Sequence, residues 1–312
     1  MNLQKSKQDD EKMTEKESGL RRTIINMKGT FAILYILTNT LIGYPFLLTA
    51  ALLKLVIPFN FSRKFFTRIL NFIATTWLDI NNILYKKILG VKIEVTGEHE
   101  LSPKEWYMVL SNHQSWSDIV VLQMVFNRRI PLLKFFIKKE LIWVPLLGIA
   151  WWALDFPFMK RFSSEFLKAH PEMKGKDIEI TRKACEKFKY TPVSVMNFVE
   201  GTRFTPAKHA KQKSPYKNLL KPKAGGTGFV FTAMGSMFHS ILNITIKYPE
   251  MDYSIWSFLC GRVHKVDVHI EKLPVDEKLI GDYENDEVYR NYFCQWLNDL
   301  WHEKDKLISK LK

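Results

Sequence analysis

A histidine and an aspartate stand five positions apart in Ser111-Asn112-His113-Gln114-Ser115-Trp116-Ser117-Asp118. Such a pair can act as a general base with its orienter. The carboxylate fixes the imidazole tautomer and stabilises the imidazolium formed when an alcohol gives up its proton. On one continuous helix, positions five apart point about 140° away from each other. The two side chains therefore meet only if His113 lies in a loop that folds back over the helix carrying Asp118. Asp118 also has a plainer reading: with Ser115 three residues earlier it makes a capping box ahead of the apolar helix predicted over 119–126, where the helix dipole favours a carboxylate. The two readings are compatible, and a surface histidine with a chance carboxylate is the ordinary alternative.

A second polar cluster, Glu200-Gly201-Thr202-Arg203, follows an apolar run at 193–199. The glycine permits a backbone angle that other residues avoid. Arginine suits bidentate recognition of phosphate, and Glu200 is placed either to bond a substrate hydroxyl or to orient Arg203. A solvated Glu/Arg pair in a turn, worth about 0.5 kcal/mol, is the alternative.

Both clusters need elements to carry them. Residues 91–96, 106–110, 132–137, 193–199, 242–248 and 266–270 are β-branched or apolar runs that read as strands. Residues 119–126, 177–188 and 288–300 read as helices. The alternation predicts an α/β domain over 90–312, with both polar clusters just past strand ends, where α/β proteins place their sites. The segment 204–223 is basic and contains prolines, so it is expected to be exposed and mobile.

Ahead of this domain, residues 30–53 carry no charged side chain. That run exceeds the roughly 20 residues a spanning helix requires. Pro45 follows Gly43 within it, which predicts a kink or a re-entrant turn. Basic residues flank the run on both sides (Arg21, Arg22 and Lys28 before it; Lys54, Arg63, Lys64 and Arg68 after). Both ends on one side of a bilayer, as a monotopic hairpin, is the expectation. Residues 65–89 have helical apolar spacing and complete a membrane module over 19–89. Residues 1–18 are polar and expected to lack fixed structure. The apolar stretch 141–154, with Trp143, Trp151 and Trp152, reads as an interfacial wall or acyl groove, or else as buried core.

Composition narrows the partners. The 46 basic and 32 acidic residues leave a net +14, which predicts attraction to an anionic surface or substrate. No nucleic-acid-binding motif accompanies the charge, and the apolar run argues against that class. No His/Asp/Glu/Cys cluster has ligand spacing, so no metal is expected. Cys185, Cys260 and Cys294 are scattered without a CxxC pair, which fits a reducing, cytosol-facing environment.

Asn112-His113 with Asp118, followed by Phe198-Val199-Glu200-Gly201-Thr202-Arg203, resembles the glycerolipid acyltransferase family, whose best-known members acylate lysophosphatidate. Lys138-Lys139-Glu140-Leu141, Pro145, Gly148 and Phe158-Met159-Lys160-Arg161 resemble its second block, whose terminal arginine is linked to glycerophosphate binding. The likeness covers 91–249, and the texture is closest to lysocardiolipin acyltransferase-like proteins and their bacterial relatives. Two departures, Val199 where a proline is usual and 241–246 without proline, bear on which lysolipid is used.

The resemblance implies a mixed β-sheet flanked by helices, no bound cofactor, and direct transfer of a fatty acyl group from acyl-CoA or acyl-ACP to a lysophospholipid hydroxyl. Its expected acceptor is 1-acylglycerol-3-phosphate, giving phosphatidate. Lysocardiolipin or lysophosphatidylglycerol remodelling and a catalytically silent lipid-binding protein are the alternatives. It implies His113 as base and Asp118 as orienter, Arg161 and Arg203 on phosphate, Glu200 at the glycerol, and Gly201, Thr202 and Lys160 alongside. Partners would be the phospholipid membrane, the two substrates and, for one donor, acyl carrier protein. The location would be the cytosolic face of a membrane, the inner membrane in a bacterium.

Overall fold

The computed structural model describes residues 2–57, 59–97, 100–159, 182, 183, 185, 188, 191–250 and 252–311. Lys160, Arg161 and most of the helix expected over 177–188 lie outside the described residues.

A six-stranded sheet organises the α/β domain. Its strands are β1 (Lys92–Thr96), β2 (Tyr107–Ser111), β3 (Leu133–Phe135), β6 (Ser194–Phe198), β7 (Ser240–Lys247) and β8 (Lys265–Pro274). Their order is β1-β8-β7-β2-β6-β3. Only the β7–β8 pair is antiparallel. A separate parallel pair joins β4 (Ile137–Lys138) to β5 (Phe158–Met159), so the strand expected over 132–137 is split between two sheets.

β2 lies near the middle of the large sheet and is buried at every residue. Its unbroken apolar sequence suits a parallel strand covered on both faces. One face packs on α3 (Ser117–Phe126), which contributes Val121, Leu122 and Val125 to a cluster with Tyr107, Val109, Leu242 and Ile244. The other face packs on α6 (Ala224–Met234) and α8 (Glu287–Lys310), where Phe231, Phe293, Leu297 and Trp301 meet Met108, Leu110, Val195 and Ile241. The buried stripe of α8, Tyr289, Phe293, Leu297, Trp301, Lys304 and Ile308, follows the helical repeat, and its fifth member is a lysine.

The N-terminal module is a pair of helices, α1 (Asn2–Val56) and α2 (Asn60–Ile83), and α1 also meets the short helices α4 (Leu147–Ala153) and α7 (Ile255–Leu259). α1 and α2 run antiparallel: Asn39 Nδ2 donates to Trp77 O at 3.0 Å and to Asn81 Oδ1 at 2.9 Å, and Trp77 Nε1 donates to Thr40 Oγ1 at 3.1 Å. α1 continues through Pro45 as one helix. The kink or turn expected at that proline is absent from the helix, and the chain reverses only after α1 ends at Val56, before α2 begins at Asn60. α1 as described begins at Asn2.

The segment 204–223 also departs from expectation, since it is folded onto the domain. Thr205 caps α5 (Pro206–Gln212) by accepting from Lys208 N at 3.2 Å. Beyond it, Tyr216, Leu219 and Leu220 are buried, and the Asp305 carboxylate on α8 accepts from Lys217 N and Asn218 N at 2.8 and 2.7 Å. Three apolar residues among many lysines are enough to anchor the strap.

Candidate active site

The C-terminal ends of β2, β6 and β7 lie side by side, and their register decides what meets there. Ser111 pairs with Phe198 on one side and with Ile244 on the other. Two residues further along each chain, His113 and Glu200 are neighbours. Asn112 extends the β2–β7 ladder with its side chain: Nδ2 donates to Ile246 O at 2.9 Å while Oδ1 accepts from Ile246 N at 2.8 Å. The amide thus occupies the place of a further backbone pair and holds the chain rigid just before His113.

His113 sits in the loop between β2 and α3, and its ring folds back over the helix start. Nδ1 is 2.8 Å from Asp118 Oδ2. That oxygen also accepts from Gln114 N at 2.6 Å and Ser115 N at 2.9 Å, and Oδ1 accepts from Tyr248 OH at 2.7 Å. Asp118 is fully buried in the first turn of α3. Three N–H or O–H donors besides the imidazole satisfy an ionised carboxylate, which then takes the Nδ1 proton as its fourth. His113 is left with a lone pair on Nε2, the tautomer a general base needs.

The capping expectation is met in part. Asp118 reaches back to Ser115 N as a capping box requires, whereas Ser115 Oγ accepts from Ser117 N at 3.2 Å and donates to Tyr253 O at 2.5 Å. Burial pushes the Tyr248 hydroxyl well above its ordinary range, and the Asp118 charge adds to this. Tyr248 therefore stays a donor at any physiological pH.

The imidazole is also held by aromatic rings. Phe198 stacks on it with centroids 3.9 Å apart and planes 13° from parallel, and Trp116 meets it edge-on at 6.4 Å. Arg203 lies over the exposed Trp116 ring, its guanidinium carbon 4.7 Å from the centroid, a cation–π contact that holds the guanidinium on that ring.

The Glu200 cluster turns on Gly201, whose φ of +67° is the left-handed conformation that glycine adopts without penalty. Lys223 is packed against this turn: a Cβ at Gly201 would stand 3.1 Å from Lys223 Cδ. Lys208 Nζ donates to Thr202 Oγ1 at 2.7 Å and to Arg203 O at 3.0 Å. Three cationic side chains, Arg203, Lys208 and Lys223, thus surround one glycine turn.

Glu200, expected at a substrate hydroxyl or on Arg203, is fully buried. Oε1 accepts from His113 N at 3.0 Å and Oε2 from Leu220 N at 2.8 Å. With Phe204 N donating to His113 O at 2.7 Å, both backbone groups of His113 are tied to the second cluster. Burial pushes the Glu200 carboxyl up to about 7, against the pull of its two backbone donors and the Lys304 charge. Both Glu200 oxygens are thus taken by backbone N–H groups, one of them that of His113.

His113, Asp118, Glu200, Gly201, Thr202 and Arg203 are therefore brought together. Sequence reading missed Tyr248, Phe198, Trp116, Lys208 and Lys223 as parts of the site. Phe198 and Trp116 adjoin the two polar clusters and were within reach of a reading that counted flanking aromatics; the others depend on contacts distant in the chain. Among the described residues no group of three or more His, Cys, Asp or Glu side chains could hold a metal ion.

Residues 92–246 match the family model described as Acyltransferase. The chain is 26% identical over 183 residues to the human 1-acyl-sn-glycerol-3-phosphate acyltransferase gamma, covering 56% of this chain and 44% of that protein. It is 26% identical over 247 residues to the Saccharomyces cerevisiae 2-acyl-1-lysophosphatidylinositol acyltransferase, covering 65% and 60%. It is 23% identical over 301 residues to Gallus gallus lysocardiolipin acyltransferase 1, covering 92% and 74%. The matches to the first two span less than two thirds of those relatives' length. Among solved structures, the 1-acyl-sn-glycerophosphate acyltransferase PlsC from Thermotoga maritima matches with a TM-score of 0.45 and 18% identity, over 90% of this chain and 97% of that one.

Proposed function

We propose, from the match of residues 92–246 to the family model described as Acyltransferase, that this chain transfers a fatty acyl group from an acyl thioester to the free hydroxyl of a lysophospholipid. The observation that carries the reading is His113 Nδ1 at 2.8 Å from the buried Asp118 carboxylate, which leaves Nε2 free to take a proton. The hydroxyl gives its proton to Nε2 as its oxygen attacks the thioester carbonyl. Asp118 stabilises the resulting imidazolium, which then returns the proton to the departing thiolate as the tetrahedral intermediate collapses. No covalent acyl-enzyme is needed, so both substrates are bound together and proximity supplies much of the acceleration.

The acceptor carries phosphate in this reading, and Arg203 with Lys208 and Lys223 is the cluster that would receive it. We place 1-acylglycerol-3-phosphate first as acceptor, giving phosphatidate, since relatives named for that acceptor recur among the matches. Remodelling of another lysophospholipid is the second reading, favoured by the lysocardiolipin acyltransferase match running over 92% of this chain. The donor is acyl-CoA or acyl-ACP.

A lipid acceptor has to come from a membrane, and the exposed apolar surface supports that. The stretch Arg22–Val56 is long and apolar enough to cross a bilayer, and only 11% of its most apolar window is buried inside the protein. A core helix would be mostly covered. At the hairpin tip Phe59, Phe61 and Phe65 are exposed, and so are Leu141, Trp143, Leu146, Leu147 and Trp152 on the 139–153 segment. Lys54 Nζ joins the two regions through Asp155 Oδ2 at 2.5 Å. We read them as one apolar end that sinks into a single leaflet, with the charged domain at the headgroups.

The test is purified protein in lipid vesicles, assayed with a panel of lysophospholipids against both donors. His113→Ala is expected to lower transfer by about 10²–10⁴-fold while vesicle binding is kept. Transfer within roughly tenfold of the parent (~1.4 kcal/mol) would remove His113 as the base.

A further inference from the structure

The segment 252–260 touches the support of the His113–Asp118 pair and also touches α1. It is tied together locally. Ser254 Oγ caps α7 by accepting from Ser257 N at 3.1 Å, and Ser257 Oγ donates to the Asp252 carboxylate. α1 meets this unit at Gly29. A Cβ there would stand 2.7 Å from Cys260 Sγ and 2.9 Å from Trp256 Cη2, closer than real Cβ atoms come. The bare backbone at Gly29 therefore lets α1 rest directly on α7 and the residue that ends it.

Tyr253, at the start of the same unit, makes two contacts with the groups that hold Asp118. Its carbonyl accepts from Ser115 Oγ at 2.5 Å, and the backbone N–H of Ser115 donates to Asp118 Oδ2 at 2.9 Å. Its ring stacks on Tyr248, with centroids 5.2 Å apart and planes 16° from parallel, and the Tyr248 hydroxyl donates to Asp118 Oδ1 at 2.7 Å. One residue thus stands behind a donor to each oxygen of the carboxylate.

Hydrogen bonds weaken steeply as their angle departs from linear, so the aim of a donor matters as much as its presence. Stacked rings fix each other's plane. Without the Tyr253 ring, Tyr248 is free to turn about its own side-chain torsions, and its O–H is no longer held toward Oδ1. Plain packing would call only for bulk at position 253. Here the plane of the ring and the direction of the carbonyl both act on groups that orient Asp118.

We propose that Tyr253 is a positioning residue for the transfer reaction: it aims two of the donors that orient Asp118, and with it the His113 imidazole, and α1 sets its place through the seat at Gly29. The inference rests on the proposed function for its catalytic consequence, and on contacts alone for the path from Gly29 to Asp118. Gly29 lies within the stretch Arg22–Val56 that is long and apolar enough to cross a bilayer. The helix offered to the membrane is thereby part of what orients the base.

The experiment uses the full chain in detergent with isotope-labelled histidine, and follows by NMR the proton on His113 Nδ1, assigned by its loss in His113→Ala. Tyr253→Ala removes the ring and keeps the carbonyl. It is expected to shift or broaden this signal, and to lower kcat about tenfold while KM for both substrates stays within about twofold. Tyr253→Phe keeps both ring and carbonyl and should match the parent in both readouts. Added to Tyr248→Phe, Tyr253→Ala should cost little more than either change alone, because both act through one hydrogen bond. Gly29→Ala raises intrinsic helix propensity, yet by pushing α7 off α1 it is expected to move the same signal, with a smaller loss of kcat. Should Tyr253→Ala fail to fold, Tyr253→Leu keeps bulk without the flat ring and serves instead. A signal left in place by either the Tyr253 or the Gly29 variant, or losses that multiply in full with Tyr248→Phe, would reduce these contacts to packing and overturn the proposal. A signal that moves in a protein whose parent acylates no lysolipid would sustain the path from Gly29 to Asp118 and remove the acyl-transfer reading instead.

Discussion

His113 is held by more groups than its pairing with Asp118 suggests. The ring is fixed by a hydrogen bond at Nδ1 and by Phe198 on its face, and the backbone is fixed at both N–H and C=O. Asp118 in turn is fixed by two backbone donors and by Tyr248. Tyr248→Phe removes one charge-assisted hydrogen bond and nothing else of the side chain. In the free enzyme the carboxylate keeps three donors, so the fold is expected to be intact. In the reaction it loses part of its grip on the imidazolium, and kcat should fall roughly tenfold, for a bond worth about 1.5–3 kcal/mol of which only part is felt at the transition state. Steady-state rates with KM for both substrates check this. A change confined to KM would place Tyr248 at a substrate rather than behind Asp118.

Between strands, the side chain of Asn112 does the work of a peptide group. It pairs with both the N–H and the C=O of Ile246, a fully buried residue of β7. Asn112→Ala leaves both groups without partners in the interior. Each unsatisfied group costs about 1–3 kcal/mol, so a loss of about 2–6 kcal/mol is expected by denaturant titration. A loss under about 1 kcal/mol would show that water or a shift of β7 replaces the amide. The same element-scale logic explains the strap over 204–223. The lysines that mark it as a surface segment do lie outward or on the Gly201 turn, while Tyr216, Leu219 and Leu220 and the Asp305 contacts hold it down. Local composition carried the lysines; the three apolar anchors mattered only once α8 was in place beneath them.

For the whole molecule, the exposed apolar end is the feature on which the proposed membrane location rests. Trp143 is 85% exposed and Phe61 is 83% exposed, an arrangement that water alone would penalise. Phe61→Ser combined with Trp143→Ser is expected to weaken binding to neutral phosphatidylcholine vesicles by about 10²–10⁴-fold, since burying each large apolar side chain is worth about 1.5–3 kcal/mol. Because both rings are already exposed, the melting temperature in detergent should be unchanged. Vesicle flotation in high salt measures this without the contribution of the +14 charge. Undiminished binding would move the insertion surface away from the hairpin tip and the 139–153 segment.

The sequence by itself determined the short-range and strongly patterned features. These were the strands of the sheet to within a few residues, the apolar N-terminal helix, the position of His113 past a strand end, and the glycine turn before Arg203. Such features depend on periodicity and on residue types near one another in the chain, which backbone sterics and burial read directly. The tertiary structure decided what each polar group faces. It turned Glu200 inward onto the backbone N–H of His113, brought Tyr248 to Asp118 across 130 residues, and kept α1 helical through Pro45 so that the chain reverses only after Val56. These depend on strand register and on which helix covers which face, and no single stretch of chain contains that information.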